Sequence, residues 1–200
     1  LTRMERVTSL SLINSTTGAK DLPGPESWVS TARSLAQGVS DPARRRAEMH
    51  RLVEARDTEF DETDVMEGIH RALARMPYPE GEARHKAALD YAAPRDAYWQ
   101  KLADEHAAQR SAGGPSPDEN KKTSAAAPTT PPVTIIHGAL DGLVPPAHGE
   151  RLAAVVPNAT LTVVPKMAHA IDSNLARPVA ENIAAVAVKA EAARRDAGKR

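Results

Sequence analysis

The sequence predicts an α/β fold: a parallel sheet with a helical block inserted between its first and second strands. Three observations carry this. Strand-type apolar runs occur at VTSLSLIN (7–14), VTIIHG (133–138) and ATLTVVP (159–165), and nowhere between the first and the second. The last two alternate with helical periodicity, as parallel strands joined by crossover helices must. The stretch from about 26 to 110 shows helical spacing throughout.

Taken in order, Val7, Leu10, Leu12 and Ile13 predict the first strand, and STTGAKDLPGP (15–25) is a run of turn formers that ends it. In DPARRRAEMHRLVEAR, Asp41 is placed as an N-cap and Pro42 as the first helical residue, with Met49, Leu52 and Val53 on one side. DETDVMEGIHRALARM sets Val65, Met66, Ile69, Leu73 and Met76 on one helical face. Tyr91 and the Tyr98-Trp99-Leu102 group predict two more helices, over 80–92 and 95–110. Met49, Met66, Met76, Tyr98 and Trp99 are expected to pack between these helices or to line an apolar pocket beneath them. Residues 111–130 are rich in Ser, Pro, Gly, Ala and Thr; too little apolar surface is available to offset chain entropy, and a flexible linker is expected. After the second strand, residues 146–156 form a helix with Leu152 and Val155 inward. After the third, 177–190 form another, with Pro178 in its first turn and Val179, Ile183, Val186 and Ala187 on one face. EAARRDAGKR is expected to be a charged, fraying tail.

Composition narrows the function classes. Lys plus Arg equals Asp plus Glu at 26 each, which leaves no electrostatic footprint for nucleic acid or an anionic membrane. No apolar run approaches the roughly 18 residues of a membrane span. Without a single cysteine, thiolate chemistry and cysteine-based zinc sites are excluded, and no signal-peptide pattern opens the chain, so a cytoplasmic location is expected. The opening LTRMERVTSL, with Leu1 first, reads as a helix tail entering a strand and predicts that the natural chain extends upstream.

Two strand ends carry chemistry. Reactive residues of open parallel sheets collect at the C-terminal edge. HGALDGLVP delivers Asp141 there, and VVPKMAHAID delivers His169. A carboxylate within reach of an imidazole fixes its tautomer and steadies the imidazolium formed when it takes a proton. Glu150 and Asp172 are weaker alternatives to Asp141, the first lying inside a helix and the second too close in sequence to His169. His137 reads as a structural turn residue, and His50, His70, His85 and His106 as solvated helix surface. No histidine pair has i, i+4 spacing with a carboxylate, so no zinc site is expected.

RVTSLSLINSTTG (6–18), PPVTIIHGALDGLVPPAHGERLAAVVPNATLTVVPKMAH (131–169) and the helix after ARPVAENI together resemble the sixth to eighth strands of the α/β-hydrolase superfamily. By that resemblance the fold is a partial α/β-hydrolase parallel sheet with an inserted helical cap. Residues 1–18 and 131–200 belong to the core and 19–110 form the cap. Asp141 is then the triad acid and His169 the triad base, in the chain order Ser, Asp, His. LINSTTG and HGALDGLVP look most like the capped esterases that include polyketide methylesterases, which implies a small apolar ester substrate and no metal or organic cofactor. The superfamily's G-x-S-x-G elbow occurs nowhere in these 200 residues; GVSDP (38–42) lacks the second glycine. Ser9, Ser11 and Ser15 match no elbow. The chain alone is therefore expected to be inactive, and its first strand, left with an open edge, is expected to drive self-association. Where the family has glycines before the histidine, this chain has Lys166-Met167-Ala168, and Ala168 would tolerate a positive φ poorly. Epoxide hydrolases, dehalogenases and haloperoxidases share the fold. A non-catalytic remnant or interaction module is the alternative from another class.

Overall fold

A computed structural model describes residues 7–75, 79–112 and 131–198. Three strands, β1 (Leu10–Ile13), β2 (Val133–Gly138) and β3 (Ala159–Val164), form one parallel sheet in the order β1-β2-β3. Leu10, Leu12 and Ile13 stand beside Val133, Ile135 and Ile136, which stand in turn beside Ala159, Leu161 and Thr162. Between β1 and β2 the described chain is helical: α1 (Ser27–Gln37), α2 (Pro42–Met49), α3 (Glu62–Arg75), α4 (Pro79–Tyr91) and α5 (Asp96–Ala112). α6 (Ala147–Val155) follows β2, and α7 (Ser173–Gly198) follows β3. The linker expected at 111–130 lies, apart from its first two residues in α5, outside the described residues, as does Met76.

β2 shows why a short run of β-favouring residues was legible as a strand. It is central and buried along its whole length, so each of its faces carries apolar residues. Ile135 points to one side, where Leu152 and Val156 of the α6 segment and Trp99 of α5 pack with Val133. Ile136 points to the other, against Met167, Leu175 and Val179. Period-two alternation thus divides the strand between two half-cores.

Three expectations are corrected. Trp99 and Tyr98 do not pack between the helices of the stretch from β1 to β2; they join the sheet core, because α5 packs beside α6. Pro178 lies inside α7 rather than in its first turn, since the helix starts at Ser173. The charged tail continues that helix to Gly198, with Arg195 and Glu191 paired at i, i+4.

The Asp41 cap is as expected. Its side chain accepts the Arg44 N–H at 2.7 Å, with Pro42 opening α2. α2 then widens into a π-helical turn, His50–Glu54, whose Val53 is buried against Val29 and Ala32 of α1.

Candidate active site

Asp141 sits three residues beyond Gly138, in a turn closed by its own N–H to the Gly138 carbonyl (3.3 Å). Its Oδ1 accepts the N–H groups of Leu143 (3.0 Å) and Val144 (2.8 Å), which is how a short acid closes a loop upon itself. The residue is 1% exposed, so its remaining oxygen needs a partner inside the protein. That partner is His169. The Nδ1–H of His169 donates to Asp141 Oδ2 at 2.9 Å. The proton is placed on Nδ1 because a carboxylate only accepts. Nε2 is left without a hydrogen-bond partner among the described residues, on a side chain 29% exposed.

The described fold is of the α/β class. Its sheet is parallel, helices cover it, and the acid and imidazole stand at the ends of neighbouring strands.

No family model matches the chain. Among solved structures it is similar to Rv0554 from Mycobacterium tuberculosis, at 20% identity over 90% of this chain and 55% of that one, with a TM-score of 0.46. It is similar also to BpoC from M. tuberculosis H37Rv, assigned there as a candidate non-heme bromoperoxidase, at 20% identity over 90% of this chain and 56% of that one, with a TM-score of 0.46. The chain thus spans about half the length of either.

The loop bearing His169 is held from three sides. On the sheet side, Ala139 N–H donates to Val164 O and Leu140 N–H to Met167 O, both at 3.0 Å. Gly138 makes this approach feasible. A Cβ there would lie 2.8 Å from the Met167 carbonyl carbon and would overlap the carbonyl oxygens of Met167 and Ala168. From β1, the Asn14 side chain reaches the carbonyls of Ala168 (3.0 Å) and His169 (2.8 Å). From the π-helical turn, Glu54 O accepts Ala170 N–H at 2.7 Å, and His50 Nε2 lies 2.8 Å from Asp172 Oδ1 as an ion pair without hydrogen-bond alignment. Ala168 is not at positive φ, so the expected conflict at that position does not arise; packing of Met167 and Ala168 against Gly138 shapes the loop instead.

His50 was expected on a solvated face and is not there. Its side chain is 13% exposed, with Phe60 edge-on at 5.1 Å. Burial opposes its charge, yet the Glu54 and Asp172 carboxylates outweigh that and raise its pKa above the ordinary value. Glu54 is itself half-buried, which favours the neutral acid; hydrogen bonds from His50 and Arg46 outweigh this and pull it down to about 2. Asp172 serves this pair rather than His169. Glu150 is exposed on α6. His137 is fully buried. Its Nε2–H donates to Val144 O at 2.8 Å and so ties the strand end to the Asp141 turn. His70 and His85 are exposed, as expected; the side chain of His106 lies outside the described residues.

Sequence reasoning missed Asn14, Glu54 and His148. His148 is buried and bonds Thr16 Oγ1 (2.7 Å) and Pro23 O (2.8 Å), pinning the loop after β1 to α6. A polar residue directly after an apolar strand run was the available signal for Asn14, and the i, i+4 spacing from His50 was the signal for Glu54; the partners of His148 lie far away in sequence. Among the described residues no three or more His, Asp or Glu side chains form a metal-holding group. No described helix is long and apolar enough to cross a membrane.

Proposed function

We propose that this chain is the cap-bearing C-terminal part of an α/β-hydrolase-type serine hydrolase that acts on small apolar esters. The core residues are 1–18 and 131–200, and the cap lies within 19–110. His169 Nε2 takes the proton of a serine hydroxyl as it attacks the ester carbonyl, then returns it to the leaving alkoxide. Asp141 holds the ring in the tautomer that leaves Nε2 free, and stabilises the imidazolium between the two steps. The observation that carries this reading is the 2.9 Å bond from His169 Nδ1 to a buried carboxylate, with Nε2 unbonded among the described residues on a side chain that is partly exposed.

The nucleophile belongs to a G-x-S-x-G elbow that these 200 residues do not contain. Alone, therefore, the chain is expected neither to hydrolyse p-nitrophenyl esters nor to react with a fluorophosphonate probe. Extended upstream along its reading frame, it is expected to gain an elbow and to react, and His169→Ala is expected to abolish that reaction. Labelling of the 200-residue chain itself, or an upstream frame that closes without an elbow, counts against the proposal.

One observation favours a second reading, a non-catalytic interaction module. Among the described residues, β1 is hydrogen-bonded to a strand on one side only, so its other edge offers backbone N–H and C=O groups suited to pairing. Sedimentation of the isolated chain distinguishes the two: concentration-dependent association with no gain of reactivity on upstream extension supports the module.

A further inference from the structure

We propose that Asn14 is the positioning residue of the Asp141–His169 pair: its side-chain amide locks the His169 loop to the strand end that carries Asp141. This rests on reading that pair as the catalytic acid and base.

Asn14 follows the last residue of β1, and its own N–H still donates to Ile136 O at 3.0 Å, so the strand ladder fixes its backbone. Its side chain then reaches the end of β2 and the loop that follows β3. The amide Nδ2 donates to Ala168 O (3.0 Å) and to His169 O (2.8 Å), while Oδ1 accepts the Gly138 N–H (2.8 Å). One group therefore joins the residue that terminates β2 to the loop that follows β3. Asp141 and His169 hang from those two segments. The side chain is buried and these bonds engage both of its ends.

The chemistry selects this residue type. Two neighbouring carbonyls need two donors and the Gly138 N–H needs an acceptor; a primary amide supplies both from one planar group. A carboxylate of the same size has acceptors only. The backbone adds a second restriction, because Asn14 has φ of +43°, a left-handed conformation that asparagine, aspartate and glycine adopt more readily than other residues. A turn residue chosen for its backbone alone would need no particular side-chain partners. Here the amide is used in full, and each partner belongs to a segment that carries one member of the pair.

Asn14→Gly keeps the left-handed backbone and removes the amide; Asn14→Asp keeps size, backbone and acceptor but removes both donors. The readout is the far-downfield proton resonance of the His169 Nδ1–H in NMR of the full chain, assigned by its loss in His169→Ala. In wild type it is expected to be resolved and protected from exchange. In folded Asn14→Gly and Asn14→Asp it is expected to broaden away or to exchange at least tenfold faster. Val156→Ala, a core truncation remote from the pair, should lower stability and leave the resonance unchanged, which a merely structural role for Asn14 would not distinguish. Unchanged resonance and exchange in the folded Asn14 variants overturn the proposal while leaving the catalytic reading intact. Freely exchanging Asn14 side-chain amide protons in wild type overturn it whether or not the variants fold. Absence of the Nδ1–H resonance from wild type defeats the underlying pair itself.

Discussion

Replacing Gly138 by alanine tests whether the His169 loop is seated on the end of β2. The new Cβ would lie 2.8 Å from the Met167 carbonyl carbon and closer still to two carbonyl oxygens. Carbon atoms in contact sit about 3.5–4.0 Å apart, so the loop must retreat by roughly 1 Å. No rotamer change can relieve this, because every clashing atom is backbone. Overpacking of this kind costs about 1–3 kcal/mol. The retreat also stretches the 3.0 Å bond from Leu140 N–H to Met167 O and the 3.0 Å bond from Asn14 to Ala168 O past any useful length. Each is worth about 1 kcal/mol net. A loss of about 3–5 kcal/mol follows, which for a chain of this size lowers Tm by about 6–20 °C. Calorimetry or a thermal melt followed by circular dichroism measures it. Gly24→Ala is the control, since a Cβ there meets nothing within 4 Å. A Gly138→Ala protein that melts within about 2 °C of wild type would refute the close-approach reasoning.

Other outcomes follow from the same contacts. Glu54 has a folded pKa below its ordinary 4.5, at about 2, so its contribution, about 3 kcal/mol, is present above pH 4.5 and lost as pH falls toward 2. His50 is raised above 6.5, so its contribution is complete below pH 6.5 and lost as pH rises through the raised value. The contact between the π-helical turn and the His169 loop should therefore be most stable between these limits, and protection of the Ala170 amide relative to its intrinsic exchange rate should fall above them; His50→Gln should flatten the alkaline side of that protection profile, and an unchanged profile would contradict the assignment. Asp41→Ala removes the α2 cap and is expected to cost about 1 kcal/mol, or about 2–4 °C in Tm, whereas Asp41→Asn should cost little.

What was legible in the sequence was what one segment can show alone. Ile135 and Ile136 announce a two-faced strand because burial on both sides needs consecutive apolar residues. Asp41 and Pro42 announce a helix start because cap and helix are neighbours. Asp141 and His169 needed one further step, the rule that parallel strands place their ends on one edge, and the 2.9 Å bond between them agrees with it. The residues missed or misplaced are those whose roles depend on distant partners. His50 looked like one more polar helix position until Asp172, 122 residues on, came to lie beside it. Trp99 belonged by periodicity to its own helix, and only the packing of α5 beside α6 assigns it to the sheet core. The concern over Ala168 failed differently: it took a positive-φ turn as the only route to His169, whereas close packing of the loop on a glycine strand end suffices.

These contacts also bear on what the absence of a nucleophile elbow from these residues entails. Among the described residues, every hydrogen bond to Asp141 comes from its own turn or from His169, and the His169 loop is held by Asn14 after β1, by the end of β2 and by the π-helical turn. All of these lie within the 200 residues. On the function proposed above, the acid and base are preorganised before any serine is present, and the cost of ordering them falls on the folding of this part rather than on the chemical step. Catalysis and geometry then separate experimentally. If the pair is built as described, the Nδ1–H bond survives in a chain that hydrolyses nothing, and restoring an elbow adds reactivity without reshaping the pair. If the bond formed only once the elbow was supplied, preorganisation by Asn14, Gly138 and Glu54 would be the wrong account of why His169 stands where it does.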